Sequence, residues 1–114
     1  MKIHKMKLLP QYYDCIKNGT KKIELRLNDD KRRNIKINDQ IIFENQNNNK
    51  EYLNTKVINI YKYDSFKDLI NNFDIKLIAS NNITKDQLLN TLNNIYTKEQ
   101  QDKYGVIAIE IELI

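Results

Sequence analysis

The sequence is poor in the residues that build cross-links and metal sites. It contains one cysteine, Cys15, and one histidine, His4. A single cysteine cannot form an internal disulfide, which is typical of proteins from reducing compartments. A structural zinc ion usually needs four cysteine or histidine ligands, so we expect no metal site. Cys15 lies in a predicted helix, where we interpret it as a small residue packed in or near the core.

Glycines are few, and long apolar stretches are missing. With only two glycines the chain cannot build the glycine-rich loop of a P-loop or dinucleotide-binding fold, and we expect no cofactor. No apolar run approaches the roughly 20 residues of a membrane-spanning helix. The first residues are basic, but Pro10 and polar residues follow them instead of an apolar segment. We therefore expect no signal peptide, no membrane association and a cytoplasmic location.

Length and composition are those of one small globular domain. The 114 residues, 40% of them hydrophobic, can support one modest core, so we expect a single domain over residues 1–114. The net charge of +4 is compatible with a polyanionic partner without requiring one. An AT-rich genome, whose codons favour Asn, Lys, Ile and Tyr, is a second explanation for this charge. The asparagine-rich segment 45–50, a predicted loop, agrees with that explanation.

The hydrophobic pattern predicts a mixed α+β fold. Pro10 suits the first turn of a helix, Gly19 suits its end, and Thr84 and Thr97 resemble helix N-caps. The strands are too many, and the helices too irregularly placed, for a repeating βαβ sheet. We therefore expect a small mixed β-barrel with helices covering its ends. The predicted strands span 5–8, 21–27, 40–44, 52–63 and 106–113, and the predicted helices begin near residues 10, 66, 85 and 98, the second ending near residue 73.

The segment 21–27 alternates apolar and charged residues, which predicts a half-buried strand. Lys22, Glu24 and Arg26 share one face of it, since residues two apart point the same way. Such a row of charges is typical of a solvated strand face. Alternatively, a carboxylate and a guanidinium on a rigid strand are suited to reading the polar edge of a base or nucleoside.

Lys21 lies just before this strand, where the chain turns out of the first predicted helix. By strict alternation it points away from Glu24 and Arg26, so a shared pocket requires a bend or bulge near Thr20. Partial desolvation beside cationic neighbours would lower the pKa of Lys21 enough for it to act as a base or nucleophile.

A second basic cluster, Lys31 to Arg33, follows within a few residues. It is interpreted either as a solvated turn or as a contact for backbone phosphates, made by Arg32 and Arg33, beside the pocket. Tyr104 precedes a predicted buried strand, where it either closes the edge of the core or stacks on a base.

The segment Gly19 to Arg26 resembles the signature of the ASCH domain, G-x-K-x-x-E-x-R, a family of the PUA-like superfamily. The resemblance covers nearly the whole chain and is nearest to small bacterial stand-alone members. It extends to Asn28-Asp29, Arg32-Arg33, Ile37-Asn38-Asp39, Ser65-Phe66 and the closing segment 104–110.

This resemblance implies a PUA-like β-barrel with a cleft lined by the motif, and recognition of RNA or a modified nucleoside. The residues expected to contact such a ligand are Lys21, Glu24, Arg26, Asn28, Arg32, Arg33 and Tyr104. A purely structural role for the charged strand is a further hypothesis.

An enzymatic role is the alternative that the resemblance implies. Some small ASCH members are amidohydrolases that deacetylate N4-acetylcytidine, and others are linked to metal-independent RNA cleavage. The deacetylases are similar in having a lysine at the place of Lys21 and an arginine at that of Arg26. In an enzyme, Lys21 would be the base or nucleophile and Glu24 the proton carrier. The deacetylases have threonine in place of Glu24, which favours binding over deacetylation here.

Overall fold

The computed structural model describes residues 1–114, which form five strands and five helices. The strands are β1 (Ile3–Leu8), β2 (Ile23–Leu27), β3 (Gln40–Asn45), β4 (Asn48–Tyr63) and β5 (Val106–Leu113). The helices are α1 (Pro10–Lys17), α2 (Phe66–Ile70), α3 (Ile75–Ile78), α4 (Lys85–Ile95) and α5 (Lys98–Tyr104). The strands form a curled half-barrel with helices around it, which confirms the predicted α+β class.

The five strands form one mixed sheet in the order β1-β3-β4-β5-β2. β1 pairs with β3 in parallel, and every other pair is antiparallel. The long strand β4 joins the two halves, because its first part pairs with β3 and its second part with β5. Its register on β5 shifts between Val57 and Asn59, and an irregularity of this kind bends a strand and lets a sheet curl.

Because of this order, β1 and β2 are the two edge strands of the sheet. A side chain connects them: Arg26 on β2 donates a hydrogen bond from Nη2 to the backbone oxygen of Lys7 on β1, at 2.8 Å. We call the gap between these two edges the seam.

Two hydrophobic clusters cover the two faces of the sheet, and β5 contributes to both. Val106 and Ala108 pack with α2, α3 and α4, whereas Ile107 and Ile109 pack with β1, β3 and α1. A strand buried on both faces shows a continuous apolar run instead of alternation, which is the pattern of the first half of β5, Val106 to Ile109. No helix of the fold has the length and apolar composition needed to cross a bilayer.

The prediction that β2 is half-buried is wrong. Ile23 and the other apolar residues of β2 enter one cluster, but Glu24 on the opposite face is also buried. β2 also begins at Ile23 instead of Lys21. The backbone N–H of Lys21 donates to the oxygen of Cys15 at the end of α1, so Lys21 belongs to the preceding turn.

The asparagine-rich segment, predicted as a loop, is largely strand. β3 ends at Asn45 and β4 begins at Asn48, so that only two residues lie between the paired strands. The side chain of Asn45 accepts a hydrogen bond from the backbone of Asn47 at 3.1 Å, which stabilises the tight turn. Within the segment only Asn45 and Asn48 pair with each other, and the register shifts between Glu44 and Asn45, so the segment forms the irregular end of a hairpin.

The helix starts predicted from capping residues are confirmed. Thr84 and Thr97 are N-caps with complete capping boxes for α4 and α5. The second helix ends at Ile70 and not near Phe73. The chain then forms the short helix α3, which was not predicted, because only the N-cap Asp74 marks its four residues.

Candidate ligand-binding site

The end of α1 determines where Lys21 lies. Gly19 has a φ of 88°, a left-handed conformation that favours glycine and turns the chain out of the helix. The backbone N–H groups of Thr20 and Lys21 then both donate to the oxygen of Cys15, at 3.1 and 3.0 Å. This turn breaks the strand alternation near Thr20, as a shared pocket requires, and directs the Lys21 side chain inward.

The Lys21 ammonium is buried, and its residue is only 3% exposed. Its Nζ donates to the backbone oxygens of Ile23 and, at 2.8 Å, Ile78, and it lies 3.3 Å from Oε1 of Glu24. Burial lowers the pKa of Lys21 below its ordinary value, and the Glu24 carboxylate offsets only part of this effect.

Glu24 is the centre of an ion-pair cluster. Its Oε2 accepts a hydrogen bond from Nε of Arg26 at 2.8 Å and lies 2.8 Å from Nη2 of the same guanidinium. Burial alone would raise the pKa of Glu24, but Arg26 and Lys21 outweigh it and hold the pKa below the ordinary value. The carboxylate is therefore ionised at neutral pH and lies between two basic side chains.

Arg26 keeps one nitrogen free of protein partners. Nε and Nη2 are bound to Glu24 and to the backbone oxygen of Lys7, but Nη1 donates to no protein acceptor. Burial lowers the pKa of Arg26, yet the Glu24 carboxylate outweighs it, so the pKa is raised and the guanidinium stays charged. The bound nitrogens hold the guanidinium plane in position, and Nη1 is available to a ligand.

The cluster lies in a pocket of about 230 Å³ at the seam. β1, α1, β2 and α4 supply most of the walls, and the lining is mostly apolar. Two tyrosines, Tyr12 and Tyr96, add aromatic surface, and the Lys21 Nζ lies 5.6 Å from the centre of the Tyr12 ring. Burial, followed by the nearby Glu24 carboxylate, raises the pKa of the Tyr12 hydroxyl, which therefore stays neutral.

The structure brings three of the seven predicted contact residues into this pocket, namely Lys21, Glu24 and Arg26. The exposed Lys22, expected on the same strand face, does not line it.

Asn28, Arg33 and Tyr104 form a separate group beyond the end of β2. Nε of Arg33 donates to the backbone oxygen of Asn28 at 3.2 Å, and its guanidinium carbon lies 5.8 Å from the centre of the Tyr104 ring. Arg32 lies apart from both groups, where its Nη1 donates to Asp29 at 3.0 Å. The structure therefore distributes the seven predicted residues over three places.

Several residues of the pocket have no counterpart among the predicted contacts. The helical spacing of Leu88, Leu92 and Ile95 was visible in the sequence, but it predicted only a helix and not a pocket wall. Gln46 and Thr91 carry no local signal that could have indicated their place. Nowhere in the chain do three His, Cys, Asp or Glu side chains come together as a metal site requires.

A family model for the ASCH domain matches residues 6–114. The chain belongs to the ASCH domain family. Its fold is similar to the crystal structure of hypothetical protein PH0355, with 41% sequence identity, a TM-score of 0.87 and coverage of 100% of both chains. It is also similar to the solution NMR structure of protein PF0455 from Pyrococcus furiosus, with 33% identity, a TM-score of 0.78 and coverage of 98% of this chain and 97% of that chain.

No curated protein matches the chain. Both structural relatives are archaeal, so the finer resemblance to small bacterial stand-alone ASCH proteins stays a prediction.

Proposed function

We propose that this ASCH domain binds a base or nucleoside, free or within RNA, in the pocket lined by Lys21, Glu24 and Arg26. The observation that carries the proposal is that Arg26, whose Nη1 has no acceptor in the protein, lines a mostly apolar pocket and is held in position by Glu24 and the backbone oxygen of Lys7. The PUA-like fold of the ASCH family, often linked to RNA binding, supports the same class of ligand.

The size of the pocket favours one flat ring over a larger ligand. Pockets for drug-sized molecules usually measure about 300–1,000 Å³, and this one, at about 230 Å³, is smaller. Tyr12 and Tyr96 offer aromatic surface on which a base can stack, and such stacking contributes about 1–3 kcal/mol per base. A single base therefore fits the volume and the chemistry of the walls.

The hydrogen-bonding groups suit an edge that combines an acceptor with a donor. Nη1 of Arg26 can donate to a carbonyl oxygen or ring nitrogen. Oε1 of Glu24, at 3.3 Å from Lys21, is beyond the length of a strong charged hydrogen bond and keeps capacity to accept. Bases offer such mixed edges, whereas a cationic ligand would meet the Arg26 guanidinium, with the Glu24 carboxylate already paired to it.

Nucleoside titrations followed by amide chemical shifts of the protein test this proposal. We expect shifts at Glu24, Arg26, Tyr12 and Tyr96 for at least one of cytidine, uridine, adenosine, guanosine and N4-acetylcytidine. Arg26→Lys replaces the planar guanidinium with a single ammonium group and should weaken nucleoside binding about tenfold or more, or about 1.4 kcal/mol. Arg33→Lys, the same change outside the pocket, should leave binding unaltered. The absence of shifts with every nucleoside and with RNA would reject the proposal.

Asn28, Arg33 and Tyr104 remain predicted RNA contacts outside the pocket. In the same titrations with RNA, their amides should shift only if the ligand extends beyond the single base.

An amidohydrolase or metal-independent ribonuclease is the second candidate function. The lowered pKa of Lys21, beside the Glu24 carboxylate in the pocket, favours it, because a neutral amine can act as a base or nucleophile. Chromatography of N4-acetylcytidine and of RNA after incubation with the protein tests it. Turnover that is lost in Lys21→Met would support an enzyme, and intact substrates under all conditions would reject one.

A further inference from the structure

A second depression follows the pocket along β1. The last residues of β1, Lys7 and Leu8, line the ligand pocket, whereas its first residues, Ile3 to Met6, line a depression of about 270 Å³. Its other walls come from Lys31, Arg32 and Ile35, in the segment that leads out of β2. The two depressions therefore lie in succession along one strand about 20 Å long.

Basic side chains outnumber acidic ones along the two depressions. The exposed side chains of Lys5, Lys7 and Lys31 form no ion pair. The second depression has four basic residues and no acidic residue in its lining. We call Lys5, Lys7, Lys31 and Arg32 the basic track.

Two of the acids near the basic track are already paired, whereas Glu44, which lies opposite Lys7 on β3 and lines a depression with Lys5, is not. Asp39 accepts from His4 at 2.9 Å and from the backbone N–H groups of Lys2 and Lys36, each at 3.0 Å. Asp29 is paired with Arg32 at 3.0 Å. Three other depressions contain acidic residues, which are Asp64 and Asp102 in one, Glu110 and Glu112 in another and Glu44, beside Lys5, in a third.

Arg32 adds an independent observation. Its Nε is buried and has no acceptor in the protein, although Nη1 of the same side chain is paired with Asp29. Buried donors without a partner are uncommon in folded proteins and call for an explanation. A small reorientation of this side chain toward a bound oxyanion in the second depression would satisfy the donor.

We propose that the basic track binds the phosphodiester backbone of a single-stranded RNA whose base occupies the ligand pocket. The inference rests on the proposed function, and it adds a polymeric ligand and a path for the chain. Lys5 and Lys7 lie two residues apart on the same side of β1, about 6.6 Å along the strand, a spacing suited to successive phosphates of an extended chain. The track has no element that would read base identity, so it contributes affinity without sequence preference.

Salt-dependent binding tests the track. Anisotropy of a fluorescein-labelled pool of random RNA octamers is measured over 50–200 mM KCl, for the wild type and for the double variant Lys5→Gln, Lys31→Gln. Each phosphate contact in a single strand contributes about 0.7 to the slope of log K against log salt, so the double variant should lose about 1.4. The matched control Lys67→Gln, Lys98→Gln removes the same charge from exposed sites on α2 and α5 and should leave the slope nearly unchanged.

The nucleoside titration separates the two proposals. Nucleoside binding that survives in the Lys5→Gln, Lys31→Gln variant, together with the lower RNA slope, is the expected result. If nucleosides bind the wild type but the RNA slope is the same in both double variants, the basic track is wrong and the pocket stands. If the protein binds neither nucleosides nor RNA, both proposals fail. Competition by polyglutamate as effective as that by RNA of equal charge would overturn the assignment to nucleic acid.

Discussion

Glu24→Gln is the substitution that most directly tests the electrostatics of the pocket. Glutamine has nearly the same shape as glutamate, so the change leaves no cavity; it removes the charge and replaces one acceptor oxygen with an amide donor. Glu24 is 6% exposed and lies within 3.3 Å of Lys21 and 2.8 Å of Arg26. The variant would leave two cations facing each other, with the Lys21 ammonium almost fully shielded from water.

Removing one partner of a buried ion pair typically costs about 3–5 kcal/mol. For a chain of this length we expect a total stability of about 6–17 kcal/mol, so the variant should stay folded at 25 °C. At about 4 °C per kcal/mol, its Tm should fall by about 12–20 °C. Urea and thermal unfolding monitored by circular dichroism would measure both quantities.

Asp30→Asn supplies the matched control, because it removes a carboxylate that pairs with Arg33 at 3.6 Å on the surface. The two side chains of that pair are 88% and 51% exposed, so the change should cost less than about 1 kcal/mol. Adding Lys21→Met to Glu24→Gln should recover at least about 1 kcal/mol, since the buried unpaired charge is then gone. A Glu24→Gln cost no larger than that of the surface control would refute the description of this cluster as a buried, coupled ion pair.

Four further substitutions test the scaffold. Gly105 has a φ of 71°, and an added Cβ would lie 3.1 Å from the backbone oxygen of Tyr63, so Gly105→Ala should lower the free energy of unfolding by about 1–3 kcal/mol, measured in urea. Gly19→Ala, with a φ of 88° and open space around the new Cβ, should cost less in the same assay, and an equal cost would contradict the role of the close approach. Burial raises the pKa of Asp39, but hydrogen bonds from His4 and two backbone N–H groups outweigh it and lower the pKa to about 2. The ionised Asp39 therefore contributes fully to the free energy of unfolding above about pH 4, and this contribution is lost as the pH falls toward 2. Asp39→Asn should flatten this part of the stability profile in acid titrations. Phe43→Ala removes a fully buried ring and should cost about 3–5 kcal/mol, a prediction that a Tm change of only a few degrees would contradict.

Local sequence signals predicted the elements whose cause is local. The capping residues Thr84 and Thr97 indicated the starts of α4 and α5, the two helices that they cap. Gly19 marked the end of α1, and the apolar run of β5 indicated a buried strand. α3 was missed because a helix of four residues has too few positions to show a period. The tight hairpin in the asparagine-rich segment was missed because the pairing of Asn45 with Asn48, and not the propensity of asparagine, defines it.

The candidate site was predictable only in part. The spacing of Lys21, Glu24 and Arg26 indicated a set of residues, and the resemblance to the ASCH signature indicated that they line a cleft. Alternation alone favoured a solvated face for Glu24, which the structure buries. Arg32 and Arg33 are adjacent in the sequence but lie in different surroundings, because Arg32 pairs with Asp29 and Arg33 lies against Tyr104.

The sequence by itself therefore determined the α+β class, the five strands, most helix starts and the motif from Gly19 to Arg26. Only the tertiary structure decided what that motif does within the fold. The Lys21 ammonium is held by the oxygen of Ile78, 57 positions away in the chain, and Arg26 crosses the seam to Lys7, 19 positions away. Burial, ion pairing and the pKa of each group depend on such distant contacts, which no local pattern of residue types contains.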